Sequence, residues 1–250
     1  MTWEWGVIWQ YFPRLLEGAW LTMELVLVSG LIGIALAIPL ALMRASSQTW
    51  VKALPFAYIY FFRGTPLLVQ IFLVYYGASQ FEAVRESFLW PILKQPYWCA
   101  IIAFSLNTAA YSAELFRSAI QAIPSGEIEA AEAMGMSKSV QIRRIIMPRA
   151  FGIALPAYGN EVILMLKGSA LASTITLLDL TGMARTIIAR TYTPLEMFLA
   201  AGVVYLAISA LIIALFRFME YRFNRYQYYH HRNTPNDLDP QLRDPHIDQK

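Results

Sequence analysis

The sequence predicts an all-α integral membrane protein with five transmembrane helices and a short pair of helices on the cytoplasmic side. Of its 250 residues, 57% are hydrophobic and only 15% are charged, whereas soluble domains carry about 25% charged residues. Long uncharged runs lie near both ends of the chain. The net charge of +3 comes from basic residues grouped at segment ends. There they indicate membrane orientation rather than nucleic-acid binding.

The first 20 residues combine several tryptophans with charges of both signs. That composition is typical of a helix lying in the membrane interface, with an aromatic belt. We therefore expect an interfacial helix over residues 1–20, followed by a membrane domain over residues 21–229.

Five segments qualify as membrane spans. Leu25–Met43 and Met197–Phe216 carry no charge, and each covers roughly 30 Å, enough for one crossing. The other three spans are Ala53–Ser79, Tyr97–Ala113 and Ala150–Leu178, of which the first and last contain a few charged residues.

The distribution of basic residues predicts the orientation of these spans, because cytoplasmic segments are enriched in lysine and arginine. An odd number of spans places the two termini on opposite sides. With the C-terminus inside, the cytoplasmic segments hold Arg44, Lys52, Arg117, Lys138, Arg143, Arg144, Arg149, Arg217, Arg222, Arg225 and Arg232. The outer segments hold only Arg14, Arg85, Lys94, Arg185 and Arg190. The excess predicts an outer N-terminus and a cytoplasmic C-terminus.

Residues 230–250 are polar and proline-rich. Such a composition buries no core, so we expect a disordered cytoplasmic tail. All three histidines fall in this tail, and Cys99 is the only cysteine. The sequence therefore predicts no metal site and no catalytic thiol.

The cytoplasmic segment 123–149 predicts two short helices joined at a corner. Ser125 is a candidate N-cap, and Glu127 and Glu129 lie in the first turn, where negative charge suits the helix dipole. Gly135 is placed to end this helix as its C′ residue. A second helix then begins at Ser137 and is expected to stop near Pro148.

Two interpretations of this segment follow from the residues alone. It is either a solvated connector with ordinary capping, or a helix whose flat alanine face docks into a groove of another protein.

A family resemblance favours the docking helix. The stretch "EAAEAMG" followed by "IIMP", over Glu129–Pro148, resembles the EAA signature of bacterial ABC importer permeases, with Met147 where leucine is common. The resemblance implies that Glu129, Ala130, Ala131 and Gly135 form a coupling helix. In that family this helix sits in a cleft of the ATPase subunit and transmits its closure to the membrane helices.

Three further stretches are similar to the polar amino-acid branch of that family. They are "FRGTPLLVQIFLVYYG", "LNTAAYSAELFRSAI" and "ALPAYGNEVILMLKGSALAST". The last is similar to the M-type permease subunit of histidine/lysine/arginine/ornithine importers and of related opine importers. The resemblance implies a type I ABC importer permease in the bacterial inner membrane, carrying polar and, by this branch, basic amino acids.

The same resemblance implies the partners of the chain. They are a second permease subunit in a heterodimer, two ATPase subunits and an extracytoplasmic amino-acid-binding protein, together with membrane lipid and no nucleic acid. The chain itself lacks the G-x-x-x-x-G-K-[ST] phosphate loop. We therefore expect no cofactor in it and no enzymatic activity, with ATP bound by the ATPase subunit.

Glu161 is the strongest candidate for a substrate contact. It lies about 12 residues, roughly 18 Å of helix, beyond Arg149, which places it near the bilayer midplane. An ionisable group there is expected to face a cavity or a partner. With Asn160, Asn107 and Thr108 it predicts a half-pocket for a cationic amino acid. A structural carboxylate paired to a neighbouring helix is the alternative.

Other charged residues near the spans have more ordinary interpretations. Arg63 either snorkels to the cytoplasmic side or anchors a broken helix beside the pathway. Glu114 and Arg117, three residues apart, predict an ion pair within the helix or between subunits. Lys167 lies on a different helix face from Glu161, and its role stays open.

A passive channel and a membrane enzyme are the competing classes. A channel predicts a continuous polar stripe, whereas these spans contain isolated polar residues. The sequence does not rank arginine, lysine, histidine, ornithine or an opine as cargo.

Overall fold

The computed structural model describes residues 4–46 and 48–223, which contain helices and no strand. In chain order the helices are α1 (Trp5–Ala45), α2 (Thr49–Gly64), α3 (Leu67–Phe72), α4 (Glu82–Arg85), α5 (Trp90–Leu93), α6 (Pro96–Gln121), α7 (Ser125–Ala133), α8 (Lys138–Gln141), α9 (Met147–Gly168), α10 (Leu180–Thr191) and α11 (Pro194–Phe223). π-helical turns, Leu73–Gly77 and Ile142–Ile146, follow α3 and α8, and a 3₁₀ helix, Ser169–Ile175, follows α9. The tail predicted over residues 230–250 lies outside the described residues.

The described residues support three to five membrane crossings. Helices α1, α6 and α11 are each long and apolar enough to cross alone. Two bent pairs pass the same test jointly: α2 with α3 and its π turn, bent by 105°, and Lys138–Ile175 with α10, bent by 48°. The second predicted span is therefore a broken helix, and the fourth ends at a bend between Ile175 and Leu180.

The N-terminal residues are not a separate helix. Helix α1 runs without interruption through 41 residues, about 60 Å, so no boundary falls after residue 20. Leu15 and Ala19 are buried in a core cluster with residues of α10 and α11. Thr22 reinforces the junction, because its hydroxyl donates to the Gly18 carbonyl at 3.0 Å and accepts from the Leu180 amide at 3.0 Å. This packing joins residues 5–20 to the first span.

Small residues allow α1 and α6 to pack closely along much of their length. Buried glycine, alanine and serine residues recur on one face of α1, and the facing surface of α6 is similarly small. At Gly33 an added Cβ would lie 2.9 Å from Thr108 Cγ2. Backbones approach this closely in membrane helices where glycine removes the side chain. The contact also sets the depth of Thr108 in the fold.

The chain passes Pro148 without stopping, contrary to the sequence prediction. Helix α8 continues through the π turn Ile142–Ile146 into α9, where Pro148 lies in the first turn. Pro148 has no N–H for a helical bond, and the π turn that ends with the Met147 amide donating to the Ile142 carbonyl accommodates the missing bond. The second helix of the predicted cytoplasmic pair is thus continuous with the span that carries Glu161.

We expect Gly33→Leu to destabilise the protein by about 1–3 kcal/mol, because overpacking forces α1 away from α6. The measurement is the melting temperature of the purified complex in detergent. Gly202→Leu in α11 is the matched control, since a Cβ there meets nothing within 4 Å. Equal melting temperatures for the two variants would show that the α1–α6 contact is not tight.

Candidate functional site

A cavity of about 480 Å³ is lined by most of the polar residues predicted to lie along a substrate pathway. Glu161 on α9, Asn107 and Thr108 on α6, and Arg63 at the end of α2 all line it. Glu161 is half-buried. Asn160 is exposed and is not among the lining residues, because its neighbour Glu161 occupies the inward-facing position of α9.

The wall of this cavity opposite Glu161 is the break between α2 and α3. Pro66 has no N–H, so the Phe62 carbonyl lacks its usual helical donor. The Gln70 amide replaces that donor, giving hydrogen bonds of 2.8 Å to the Phe62 carbonyl and 3.0 Å to the Thr65 carbonyl. The Thr65 hydroxyl in turn donates to the Phe61 carbonyl at 2.8 Å. Side chains thus replace the helical hydrogen bonds lost at the break.

Asn107 connects this break to α6. Its amide donates to Gln70 Oε1 at 2.9 Å, and Gln70 is only 3% exposed. Asn107 therefore lines the cavity and also holds the broken helix in position.

Arg63 forms none of the hydrogen bonds that the described residues make at the break, and its anchoring role stays a prediction. Among the described residues, the hydrogen bonds across the break come from Gln70, Thr65 and Asn107. The Arg63 guanidinium instead lies over the Tyr111 ring, with Cζ 5.1 Å from the ring centroid. A cation–π contact of this kind fixes the guanidinium at the cavity wall.

A second cavity, of about 580 Å³, adjoins the first. The two share Arg63, Gly64, Thr65 and Tyr111 as wall residues. The second cavity also contains Glu114, which accepts a hydrogen bond from Arg117 Nε at 2.8 Å. Glu114 and Arg117 thus form an ion pair within α6. We call the cavity of Glu161 the upper cavity and that of Glu114 the lower cavity.

The corner after α7 is fixed by its backbone. Gly135 has φ +74°, which only glycine adopts without strain. The Met136 amide donates to the Ala131 carbonyl at 3.1 Å, and the Gly135 amide donates to the Glu132 carbonyl at 2.9 Å. These two bonds form a Schellman motif with Gly135 at C′, as the sequence predicts.

Two details of α7 differ from the sequence prediction. Pro124, not Ser125, occupies the N-cap position, and no side chain caps this helix. Ala131 is 1% exposed and packs inward, so it cannot contribute to a docking face. Glu129 and Ala130 are exposed, as is Met134, and these residues form the outward surface of α7.

An ion pair ties α7 to the base of α9. The Arg149 guanidinium donates to both carboxylate oxygens of Glu127, with 2.9 Å from Nε to Oε2. This hydrogen bond lowers the pKa of Glu127 below its ordinary value. Because Arg149 and Glu161 lie on the same helix, the bond connects α7 to the upper cavity.

Sequence reasoning missed Gln70 and Tyr111. Proline at position 66, followed four residues later by an isolated glutamine in an apolar run, could have indicated Gln70 as the donor for a broken helix. No sequence signal pairs Tyr111 with Arg63, because that contact depends on how α2 packs against α6.

Comparisons with known proteins agree on one family. Residues 31–225 match the model of the binding-protein-dependent transport system inner membrane component. An octopine transport system permease protein of Rhizobium meliloti is 49% identical over 214 residues, covering 86% of this chain and 87% of that protein. A histidine/lysine/arginine/ornithine transport system permease protein of Escherichia coli K12 is 46% identical over 206 residues, covering 82% and 87%.

A solved structure is also similar to this chain. It is an amino acid ABC transporter crystallised with histidines, and its matching chain is 34% identical. The TM-score is 0.78, with coverage of 89% of this chain and all of the matched one.

We expect Glu127→Gln to lower the melting temperature at pH 7 by roughly 1–3 °C, as for a partly exposed ion pair. The folded-state pKa of Glu127 is lowered, so the pair stabilises the protein above the unfolded pKa of about 4.3. That stabilisation is lost as the pH falls through the lower folded pKa. Melting curves from pH 7 downward should therefore converge for wild type and variant. Glu129→Gln, which removes an exposed carboxylate of the same helix, should leave the curve unchanged, and an equal effect in both variants would contradict the pairing.

Proposed function

Because the chain belongs to the family of binding-protein-dependent transport system inner membrane components, and is thus a permease subunit of an ABC importer, we propose that its cargo is a basic amino acid. Arginine, lysine, histidine and ornithine form this class. The observation that carries the proposal is the upper cavity, in which Glu161 faces the same space as Arg63 and Asn107.

The chemistry of the upper cavity suits such a cargo. A carboxylate in a largely apolar cavity favours a guanidinium or ammonium group through charge-assisted hydrogen bonds. Arg63 provides the opposite charge for the α-carboxylate of the same molecule. The Thr108 hydroxyl donates to Met165 Sδ at 3.0 Å, which leaves its oxygen as an acceptor at the cavity wall.

Opines built on basic amino acids are the second candidate cargo. The Rhizobium meliloti relative is named for octopine, which combines the guanidinium of arginine with an additional carboxylate. The same cavity charges would recognise both kinds of molecule, so a cargo survey must include them.

The proposed assembly follows the family pattern. This chain pairs with a second, different permease subunit, two ATPase subunits and an extracytoplasmic binding protein. Its N-terminus lies in the periplasm and its C-terminus in the cytoplasm. ATP is held by the ATPase subunits, and the permease chain takes no cofactor of its own.

In the proposed mechanism, closure of the ATPases pushes on the outward surface of α7. The Glu127–Arg149 ion pair and the continuous α8–α9 segment carry that displacement to Glu161. Rocking of the spans then turns the upper cavity from one side of the membrane to the other. A passive channel would need no such cytoplasmic helix, and its uptake would be independent of ATP.

We expect Glu161→Gln to reduce uptake of radiolabelled arginine, lysine and histidine by about tenfold or more, because a hydrogen bond to a charged group is worth about 1.5–3 kcal/mol. Co-purification with the ATPase should be unchanged. Glu24→Gln is the matched control: Glu24 is a carboxylate on α1 that accepts the Tyr97 hydroxyl at 2.7 Å and lies outside the upper cavity. Wild-type uptake in Glu161→Gln would rule out its role as a substrate contact.

We expect Glu129→Lys to abolish stable co-purification with the ATPase subunit, because charge reversal on the exposed surface of α7 would disturb a complementary docking cleft. Glu82→Lys in α4, on the predicted outer side, should co-purify normally. Retention of the ATPase by Glu129→Lys would show that α7 is not the docking helix.

A further inference from the structure

The lower cavity contains two guanidinium groups. Arg44, from the end of α1, and Arg63, from the end of α2, both line it. Across residues 4–46 and 48–223, neither forms an ion pair or donates a hydrogen bond to another residue. The Nε of Arg44 is buried and has no hydrogen-bond partner.

Both guanidinium groups are held in place by aromatic rings. Arg44 Cζ lies 5.0 Å from the centroid of Phe56, and Arg63 Cζ lies 5.1 Å from that of Tyr111. A cation–π contact uses the flat face of the guanidinium. The N–H donors point outward in its plane, so they stay available for a fork-like pair of hydrogen bonds.

The carboxylate in the lower cavity neutralises only part of this charge. Glu114 lies in the electrostatic field of Arg44 and Arg63, but it is hydrogen-bonded by Arg117. One carboxylate thus stands against three guanidinium groups, and the remaining positive charge favours binding of an anion. Basic residues at helix ends can serve only to orient the spans in the membrane. That role would not require Arg44 and Arg63 to line the same cavity.

We propose that the lower cavity binds the carboxylate group of the cargo between Arg44 and Arg63, as a second station beyond Glu161. This rests on the proposed function. Arg63 belongs to the walls of both cavities, so it can keep the carboxylate while the cationic end of the cargo leaves Glu161. Arg44 then supplies a second guanidinium group for the same carboxylate, and the upper cavity has no such group among its described lining residues.

A phosphate of an anionic lipid has similar chemistry to a carboxylate, so the experiment separates the two. The complete complex is placed in nanodiscs of phosphatidylcholine alone or with phosphatidylglycerol. Equilibrium binding is measured for L-arginine and for agmatine, which is arginine without its carboxylate. The variants are Arg44→Gln and Arg44→Lys, and the control is Lys52→Gln, which removes a nearby basic residue that lies outside both cavities.

In phosphatidylcholine we expect Arg44→Gln to weaken arginine binding by about tenfold, the scale of one charge-assisted hydrogen bond, and to leave agmatine binding unchanged. Arg44→Lys should fall between wild type and Arg44→Gln, because lysine keeps the charge and loses the fork. Lys52→Gln should match wild type for both ligands.

Equal losses for arginine and agmatine, or no loss, in the Arg44 variants would overturn the carboxylate site while leaving the proposed function intact. Unchanged arginine binding together with loss of bound phosphatidylglycerol, detected by native mass spectrometry, would assign the site to lipid and also overturn it. A wild-type complex that binds no arginine would contradict the proposed function and this site together.

Discussion

The two cavities depend on the hydrogen bonds of Gln70. Inside a membrane, a break in a helix leaves backbone carbonyls without donors, and each costs several kcal/mol unless a side chain replaces the missing N–H. Pro66 creates this situation, and the Gln70 amide resolves it by donating to the carbonyls of Phe62 and Thr65. Gly64 and Thr65 are walls of both cavities. Without Gln70, keeping the 105° bend would cost the free energy of leaving these carbonyls without a donor.

Continuous helical structure links α7 to the upper cavity. Helices α8 and α9 and the intervening π turn form one uninterrupted segment, so displacement at one end reaches the other without a hinge. Helix α7 is joined to that segment at the Gly135 corner, by the ion pair between Arg149 and Glu127, and by packing of Ile128 on the core cluster that contains Ala150. These contacts are enough to make a short helix move with a long one. The geometry therefore suits transmission of a push more than it suits a passive surface loop.

Sequence reasoning predicted the parts governed by local rules. The apolar runs indicated the five segments that form crossings or bent pairs, and Gly135 indicated the corner because a positive φ has a strong residue preference. It raised a broken helix at Arg63 only as one alternative and did not predict the bend after Ile175. The effect of a proline depends on tertiary context, since the helix breaks at Pro66 and continues past Pro148. Glu161 and Asn107 were predicted to share a half-pocket, whereas Arg63 was given a separate role. Their shared cavity depends on a bend set by Gln70, more than 90 residues before Glu161.

Charges of both signs along one pathway address a general problem of transport. Binding must be favourable enough for entry and weak enough for release. An isolated Glu161 would hold a cationic cargo tightly and would be costly to leave unpaired once the cargo departs. Arg63 lines the same cavity, so it offsets the charge of Glu161 when the cavity is empty and competes with the cargo for that carboxylate. In the proposed function, Glu161 thus exchanges the cationic cargo for Arg63 as its counterion when the cargo leaves. No bare charge remains, so the free-energy change of each step of passage stays small.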